Sequence, residues 1–414
     1  MNISFPEGFL WGAALSSYQC EGGNLNTDWC AWEEKNNLEK AADACDHYHL
    51  FDQDFRSAKS LHLNSLRISF EWARINPQPG KFSKSAIEHY KEVIDSLLAY
   101  NLKPIVTLHH FTNPSWFMDQ GGWLKASNID YFSSYLKLVV ETFKDKVDTW
   151  LILNEPLVYA YFGFIKGSWP PGIKSLSSAK KVVDNMLKAY TLGYDEIKSI
   201  YKNTQSQVNV SLAKNFRIFS ACPDGLRLLN SFSSYLRNKI FNFDMINFLS
   251  KHKKLDFIGL NYYCREYTQF SGPLGKECQH HHQGRKNNFG SIVYPRGLYE
   301  LLIKLKKYKL PIIITENGTT ENQDYLYQEY LRRHLACLAR AYQAGVDIRG
   351  YFWWSLMDNF EWDKGFKQRF GLLEVDYKSF KRNKRDFALV YSSIADNNKV
   401  DLDPDDTSLD ADPG

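Results

Sequence analysis

Eight times along this chain a short apolar, often β-branched run gives way to a longer stretch with helical spacing. That alternation limits the fold more than any other feature. The runs cover residues 9–14, 65–69, 103–108, 150–153, 208–213, 256–261, 312–315 and 348–354. Between them, 46–61, 83–98, 128–143, 180–201, a stretch up to Leu249, 297–305 and 325–344 have helical periodicity. Ser83 is placed as an N-cap and Gly345 as a C-cap, whereas residues 16–23 read as a polar, glycine-containing loop. Strands that alternate with helices pair in parallel, and eight such units close on themselves. The expected fold is therefore α/β, a single (β/α)₈ TIM barrel. A chain of 414 residues is compatible with one barrel, and residues 1–396 are assigned to it. From Asn397 onward Asp, Pro and Ser dominate, so residues 397–414 are expected to form a disordered acidic tail.

Polar and charged residues gather at the C-terminal ends of these strands, the face on which barrels of this kind carry their chemistry. Two strand ends stand out. One is Ile312-Ile313-Ile314-Thr315 running into Glu316-Asn317-Gly318. The other is 150–153 running into Asn154-Glu155-Pro156. A carboxylate at the end of a buried strand is costly unless a partner or a task keeps it there. Two of them at the ends of two parallel strands are what glycoside hydrolysis requires. Composition agrees where it bears on this. Aromatic residues make up 15% of the chain, and their faces can floor sugar rings. The net charge of +4 is spread along the chain, which gives no case for nucleic acid or a membrane surface. Seven cysteines without paired spacing, together with a start that shows no secretory pattern, suggest reduced thiols and a cytoplasmic location.

Taken together, several pieces resemble glycoside hydrolase family 1, the β-glucosidase and β-galactosidase family. They include Phe-Pro-Glu-Gly-Phe-Leu-Trp-Gly at 5–12, Ser-Ser-Tyr-Gln-Cys-Glu-Gly at 16–22, and the segments 67–74 and 108–116. Asn154-Glu155-Pro156, the segment 259–263, Thr315-Glu316-Asn317-Gly318 and the segment 354–370 complete the set. The resemblance runs from residue 5 to about residue 387 in family order. It implies a retaining β-glycosidase that needs no cofactor and no metal and acts on small-molecule β-glycosides or oligosaccharides, β-glucosides first and β-galactosides or β-fucosides besides. Glu316 is then the nucleophile and Glu155 the general acid/base, with their carboxyl groups roughly 5–5.5 Å apart. Arg67 is implied to keep Glu316 ionised, and Tyr263 to donate a hydrogen bond to it. Read from the residues alone, Arg67 fits a structural ion pair as well, and Tyr263 cannot be told from Tyr262. For the sugar, the resemblance implies Gln19, His110 (rather than His109), Asn154, Asn261, Glu361, Trp362 and Phe370, with Trp354 as the floor beneath the ring. Relatives that act on 6-phosphorylated sugars carry a Ser- and Lys-containing loop in place of 358–362. Glu361 would repel a phosphate, so an unphosphorylated sugar is expected.

Four residues depart from the family pattern: Phe111, Ile152, Tyr190 and Ser291. They are expected to alter the surroundings of the acid and the stacking of the leaving group. Short loops, especially 249–255, suggest an open entrance. The run Cys278-Gln279-His280-His281-His282 contains metal-competent side chains, but consecutive residues rarely converge on one ion, and a solvated loop is expected. Two rival readings remain on the same barrel, a transglycosylase and a carbohydrate-binding protein with weak catalysis. The second is opposed by the presence of both glutamates.

Overall fold

The structure is a computed structural model that describes residues 2–202, 204, 207–278 and 284–402. Its centre is a closed sheet of eight parallel strands: β1 (Leu10–Ala14), β2 (Ser65–Ser69), β3 (Lys103–Thr107), β4 (Thr149–Asn154), β5 (Asn209–Ala221), β6 (Ile258–Gln269), β7 (Ile312–Asn317) and β8 (Ile348–Trp354). Each strand pairs with its neighbours in chain order. β1 pairs with β8, and pairing of β5 with β6 completes the ring. This is the expected barrel.

Side-chain alternation separates two apolar layers. Ile105, Leu151, Ala213, Ile313 and Phe352 cluster with Phe257 apart from the larger core, although they sit on the same strands as members of that core. They fill the barrel, and their neighbours in sequence face the helices. The filling explains Gly12, since a Cβ there would lie 2.4 Å from the Phe352 ring and 2.6 Å from the Ser65 carbonyl. Ser83 caps the helix Lys84–Ala99 by accepting from the amide of Ala86, and Gly345 follows the helix Asp324–Gln343 at φ 79°.

Five expectations are corrected. Residues 16–23 are not all loop: Ser17–Glu21 form a short helix that aims Gln19 inward. β5 and β6 run well past the rim as a paired ribbon, because polar residues alternate with Phe216, Ile218 and Tyr262 and keep the strand period. Cys222 and Cys278, each next to the end of a strand at that ribbon, form a disulfide, while the other five cysteines are not disulfide-bonded. The reduced-thiol argument for a cytoplasmic location therefore does not hold. The segment 249–255 precedes β6 and so lies on the opposite face from the strand ends. Lys254 there accepts from the Tyr190 hydroxyl at 2.7 Å, and neither it nor Tyr190 shapes an entrance. Ordered structure also continues past 397, since Lys399–Asp401 pair antiparallel with Asn2–Ser4. Residues 403–414 and 279–283, which include the expected histidines, lie outside the described residues. No helix among the described residues is long and apolar enough to cross a membrane.

One helix is built inside out. Arg227–Arg237 buries Asn230, Ser233 and Ser234 against the ribbon, where Asn230 donates to the Cys222 carbonyl and Ser234 to that of Phe219. Its large apolar side chains point outward, with Leu228 89% and Phe232 50% exposed.

Candidate active site

Strand ends place the chemistry. Glu316 is the next-to-last residue of β7, and its register partner on β6 is Asn261. Asn317 is a clamp: its amide donates to the Tyr262 carbonyl at 2.7 Å and its oxygen accepts from the Tyr351 hydroxyl at 2.8 Å. Gly318 is small because a Cβ there would fall 2.1 Å from the Trp354 carbonyl oxygen. β7 is thereby tied to both neighbours at the level of its carboxylate.

Glu316 receives a hydrogen bond on each oxygen, from Arg67 on Oε1 and from the Tyr263 hydroxyl on Oε2. Arg67 is fully buried. Its other donors go to Thr107 Oγ1 at 3.1 Å and to Asn154 Oδ1 at 2.6 Å. Tyr262 points the other way and donates to the Tyr294 carbonyl at 2.6 Å, so strand alternation separates the two tyrosines. Burial pushes the Glu316 carboxyl up to about 7; Arg67 and Tyr263 pull it down, and the charge of Glu155 pushes it further up. Arg67 acts in the expected direction, but burial outweighs it.

Glu155 follows the last residue of β4, in the left-handed region (φ 44°, ψ 55°), with Pro156 starting a short helix. Its amide donates to the Ala213 carbonyl at 2.8 Å. Its Oε1 accepts from Asn261 Nδ2 at 2.7 Å and from Asn215 Nδ2 at 3.0 Å. Oε2 has no hydrogen-bond partner among the described residues. Asn154 donates to His110 Nε2 at 3.1 Å, while His109 faces outward to Asn113 at 3.0 Å.

The other residues expected to read the sugar also lie close together. Gln19 Nε2 donates to the Phe360 carbonyl at 2.9 Å and to Glu361 Oε2 at 3.2 Å, while the Phe360 amide returns to the Gln19 carbonyl at 3.0 Å. This stitches the first βα connection to the last. The loop is anchored by the buried Asp358, which pairs with Arg369 and Arg385 at 3.0 Å each. Burial pushes Glu361 up to about 8, with Glu316 and Asp363 adding to it. The buried atoms Gln19 Oε1 and His110 Nδ1 have no partner among the described residues, which leaves hydrogen-bonding capacity at the cavity wall.

All the expected residues except Arg67 and Asn261 line one cavity of about 400 Å³. Asn261 had been expected to touch the sugar. It is instead fully buried behind the carboxylates, accepting from Thr315 Oγ1 at 2.6 Å and donating to Glu155. Trp354 stacks obliquely on His110, with ring centroids 5.8 Å apart, and packs with Phe370. Of the four departures, Phe111 and Ser291 lie on the cavity wall. Ile152 packs outward against Gly193, so no hydroxyl is missing beneath the acid. The sequence reading missed Asn215, Arg217, Phe162 and Trp169, which wall the outer cavity. The signal available for the first two was the polar–apolar alternation from Lys214 to Phe219.

The chain matches the family model described as glycosyl hydrolase family 1 over residues 1–242 and 236–400. It is 30% identical to beta-glucosidase A of Thermotoga maritima, over 97% of this chain and all of that one. It is 29% identical to a 6-phospho-beta-galactosidase of Clostridium acetobutylicum, over 96% of this chain and 98% of the relative. A solved structure, the beta-glycosidase from Pyrococcus horikoshii, superposes with a TM-score of 0.89 at 35% identity, covering 97% of each chain.

Proposed function

The chain belongs to glycosyl hydrolase family 1 and is a β-glycosidase; from this we propose a retaining hydrolase of terminal β-glucosides in which Glu316 attacks and Glu155 is acid and base. The observation that carries the assignment is the difference between the two carboxylates. Glu316 is held on both oxygens by a cation and a phenol, as suits a nucleophile that must be ionised and fixed in place. Glu155 takes both its bonds on one oxygen and leaves the other to the cavity, as suits a group that exchanges a proton with substrate and water.

In the first half-reaction a Glu316 oxygen bonds to the anomeric carbon as the bond to the leaving oxygen breaks, and Glu155 gives that oxygen its proton. In the second, Glu155 takes a proton from water, which attacks the anomeric carbon and releases Glu316. Esterification removes the negative charge of Glu316 and makes it easier for Glu155 to act as a base. Asn154 supports the 2-hydroxyl, Gln19 and Glu361 read vicinal hydroxyls, and Trp354 floors the ring.

Overall identity does not separate phosphorylated from plain sugars, since relatives of both kinds are equally similar. The site favours the plain sugar. The charges of Glu316 and Asp363 that raise Glu361 make a negative field, and a phosphate dianion would be repelled there. The test is hydrolysis of aryl β-glucoside, β-galactoside, β-fucoside and 6-phospho-β-glucoside by wild type and Glu316→Ala. Turnover of an unphosphorylated sugar that vanishes in the variant is the expected result. Turnover confined to the phosphorylated substrate, or unchanged in Glu316→Ala, would reject the reading.

A further inference from the structure

We infer that Arg217 and Asn215 are positioning residues that decide which oxygen of Glu155 carries the transferable proton; this rests on Glu155 being the acid. Asn261 and Asn215 both direct an amide N–H at Oε1, at 2.7 and 3.0 Å. Two donors on one carboxyl oxygen occupy its lone pairs, so in the protonated acid the hydrogen sits on Oε2. That is the oxygen left to the cavity, where a leaving group would be.

The arrangement holds only if both amides are turned with nitrogen inward. Asn261 Nδ2 also meets Asn154 Oδ1 at 3.3 Å, an oxygen that Arg67 holds as an acceptor. Thr315 Oγ1 gives its hydrogen to Asn261 Oδ1 at 2.6 Å. For Asn215 the orienting group is Arg217, whose Nε lies 3.3 Å from Asn215 Oδ1. A guanidinium has no acceptor, so the carbonyl of Asn215 must face it and the NH₂ must face Glu155. Arg217 is itself fixed. Asn242 accepts from its amide at 3.1 Å and donates to its carbonyl at 2.7 Å, and Glu266 pairs with its guanidinium at 3.3 Å and also with Arg237. The ribbon extension of β5 and β6 thus reaches the acid through one amide.

Loss of this control should matter in proportion to how much the leaving group needs a proton. The experiment compares kcat/KM, which reports the first half-reaction, for methyl and 2,4-dinitrophenyl β-glucosides. Wild type, Arg217→Met, Asn215→Asp and Glu155→Ala are measured. Asn215→Asp keeps the shape of the side chain but has no N–H to offer, so it serves if Arg217→Met does not fold. Arg217→Met and Asn215→Asp are expected to lose roughly tenfold on the methyl glucoside, a fraction of the full general-acid contribution, and less than about threefold on the dinitrophenyl glucoside. Equal losses on both substrates would mark a structural role and overturn the inference, as would no loss on either. A Glu155→Ala enzyme without leaving-group dependence would overturn the acid assignment beneath it.

Discussion

Replacing Glu361 by Gln should stabilise the protein while damaging its activity, and the stabilisation should depend on pH. The carboxyl's ordinary value near 4.5 is pushed up to about 8 by burial and by the neighbouring Glu316 and Asp363. A raised carboxyl contributes stability that is full below about 4.5 and lost as pH rises through about 8, because the unfolded chain ionises first. Each tenfold change in proton affinity is about 1.4 kcal/mol, so at pH 7 the loss is roughly 3 kcal/mol. Water in the cavity reaches part of the side chain, and screening reduces the expected figure to about 2 kcal/mol. For a chain this long the unfolding entropy is roughly 0.9 kcal/mol per kelvin, so the variant should melt about 2 °C above wild type near pH 7. The gap should widen toward pH 8 and close near pH 4.5. Thermal unfolding of both proteins in a series of buffers reads it directly. The same variant disturbs the bonds proposed to two sugar hydroxyls, each about 0.5–1.5 kcal/mol for a neutral carboxyl, and kcat/KM should fall roughly tenfold or more. A melting difference that is flat with pH, or largest in acid, would refute the reasoning.

As the proposed nucleophile Glu316 has to be ionised, and its raised value predicts an acid limb of kcat/KM with a midpoint near 7. Tyr263→Phe removes a donor that favours the ionised form, so that limb should move to higher pH; an unmoved limb would show that the hydroxyl does not tune the nucleophile. Glu155 occupies the left-handed region, which costs a residue with a Cβ roughly 1 kcal/mol more than glycine. Glu155→Gly should therefore be at least as stable as Glu155→Ala by chemical denaturation, against the usual ranking of the two residues. Leu228 and Phe232 project from the inside-out helix. Changing both to Glu should leave the unfolding temperature within about 1 °C of wild type, since little buried apolar area is lost; a large drop would mean that they pack within the monomer.

Much of this was legible in the sequence because barrel strands are buried on both faces and stop abruptly at polar residues. Ile312-Ile313-Ile314 ahead of Glu316, and the run ending at Asn154-Glu155, announce both position and chemistry. Where a strand does not stop at the rim the signal weakens. Lys214, Asn215 and Arg217 look like the polar end of β5, although they continue it, and so the residues that hold Glu155 went unread. Asn261 was read as a sugar contact from the resemblance. Alternation puts it on the same face of β6 as Tyr263, and only the closing of the barrel shows that the partner of Asn261 is Glu155. The disulfide joins residues 56 apart in sequence through the pairing of the ribbon, which no local spacing records. Ile152 and Tyr190 were read as departures from the family pattern, whereas the faces of the strand and helix that carry them decide their role.

The bonds that place the two carboxylates run almost entirely from strand to strand. Glu155 on β4 is held by Asn215 on β5 and Asn261 on β6, and Asn261 is held by Thr315 on β7. Glu316 on β7 is held by Arg67 on β2 and Tyr263 on β6, and Arg67 returns to Asn154 on β4. The chain of contacts closes on itself inside the barrel, so the distance between the two carboxylates is set by closure of the sheet and not by a loop. The residues proposed to read the sugar are organised differently, since Gln19 and Glu361 depend on connections stitched across the first and last strands. A barrel with this division can vary its loops, and with them its choice of sugar and leaving group, while the carboxylates stay in register. That division also separates the expected consequences of mutation: Glu361 can be neutralised with a gain in stability, whereas removing Arg67 would strip Glu316 of its cationic partner and Asn154 Oδ1 of its shortest donor in the interior and should cost both stability and activity.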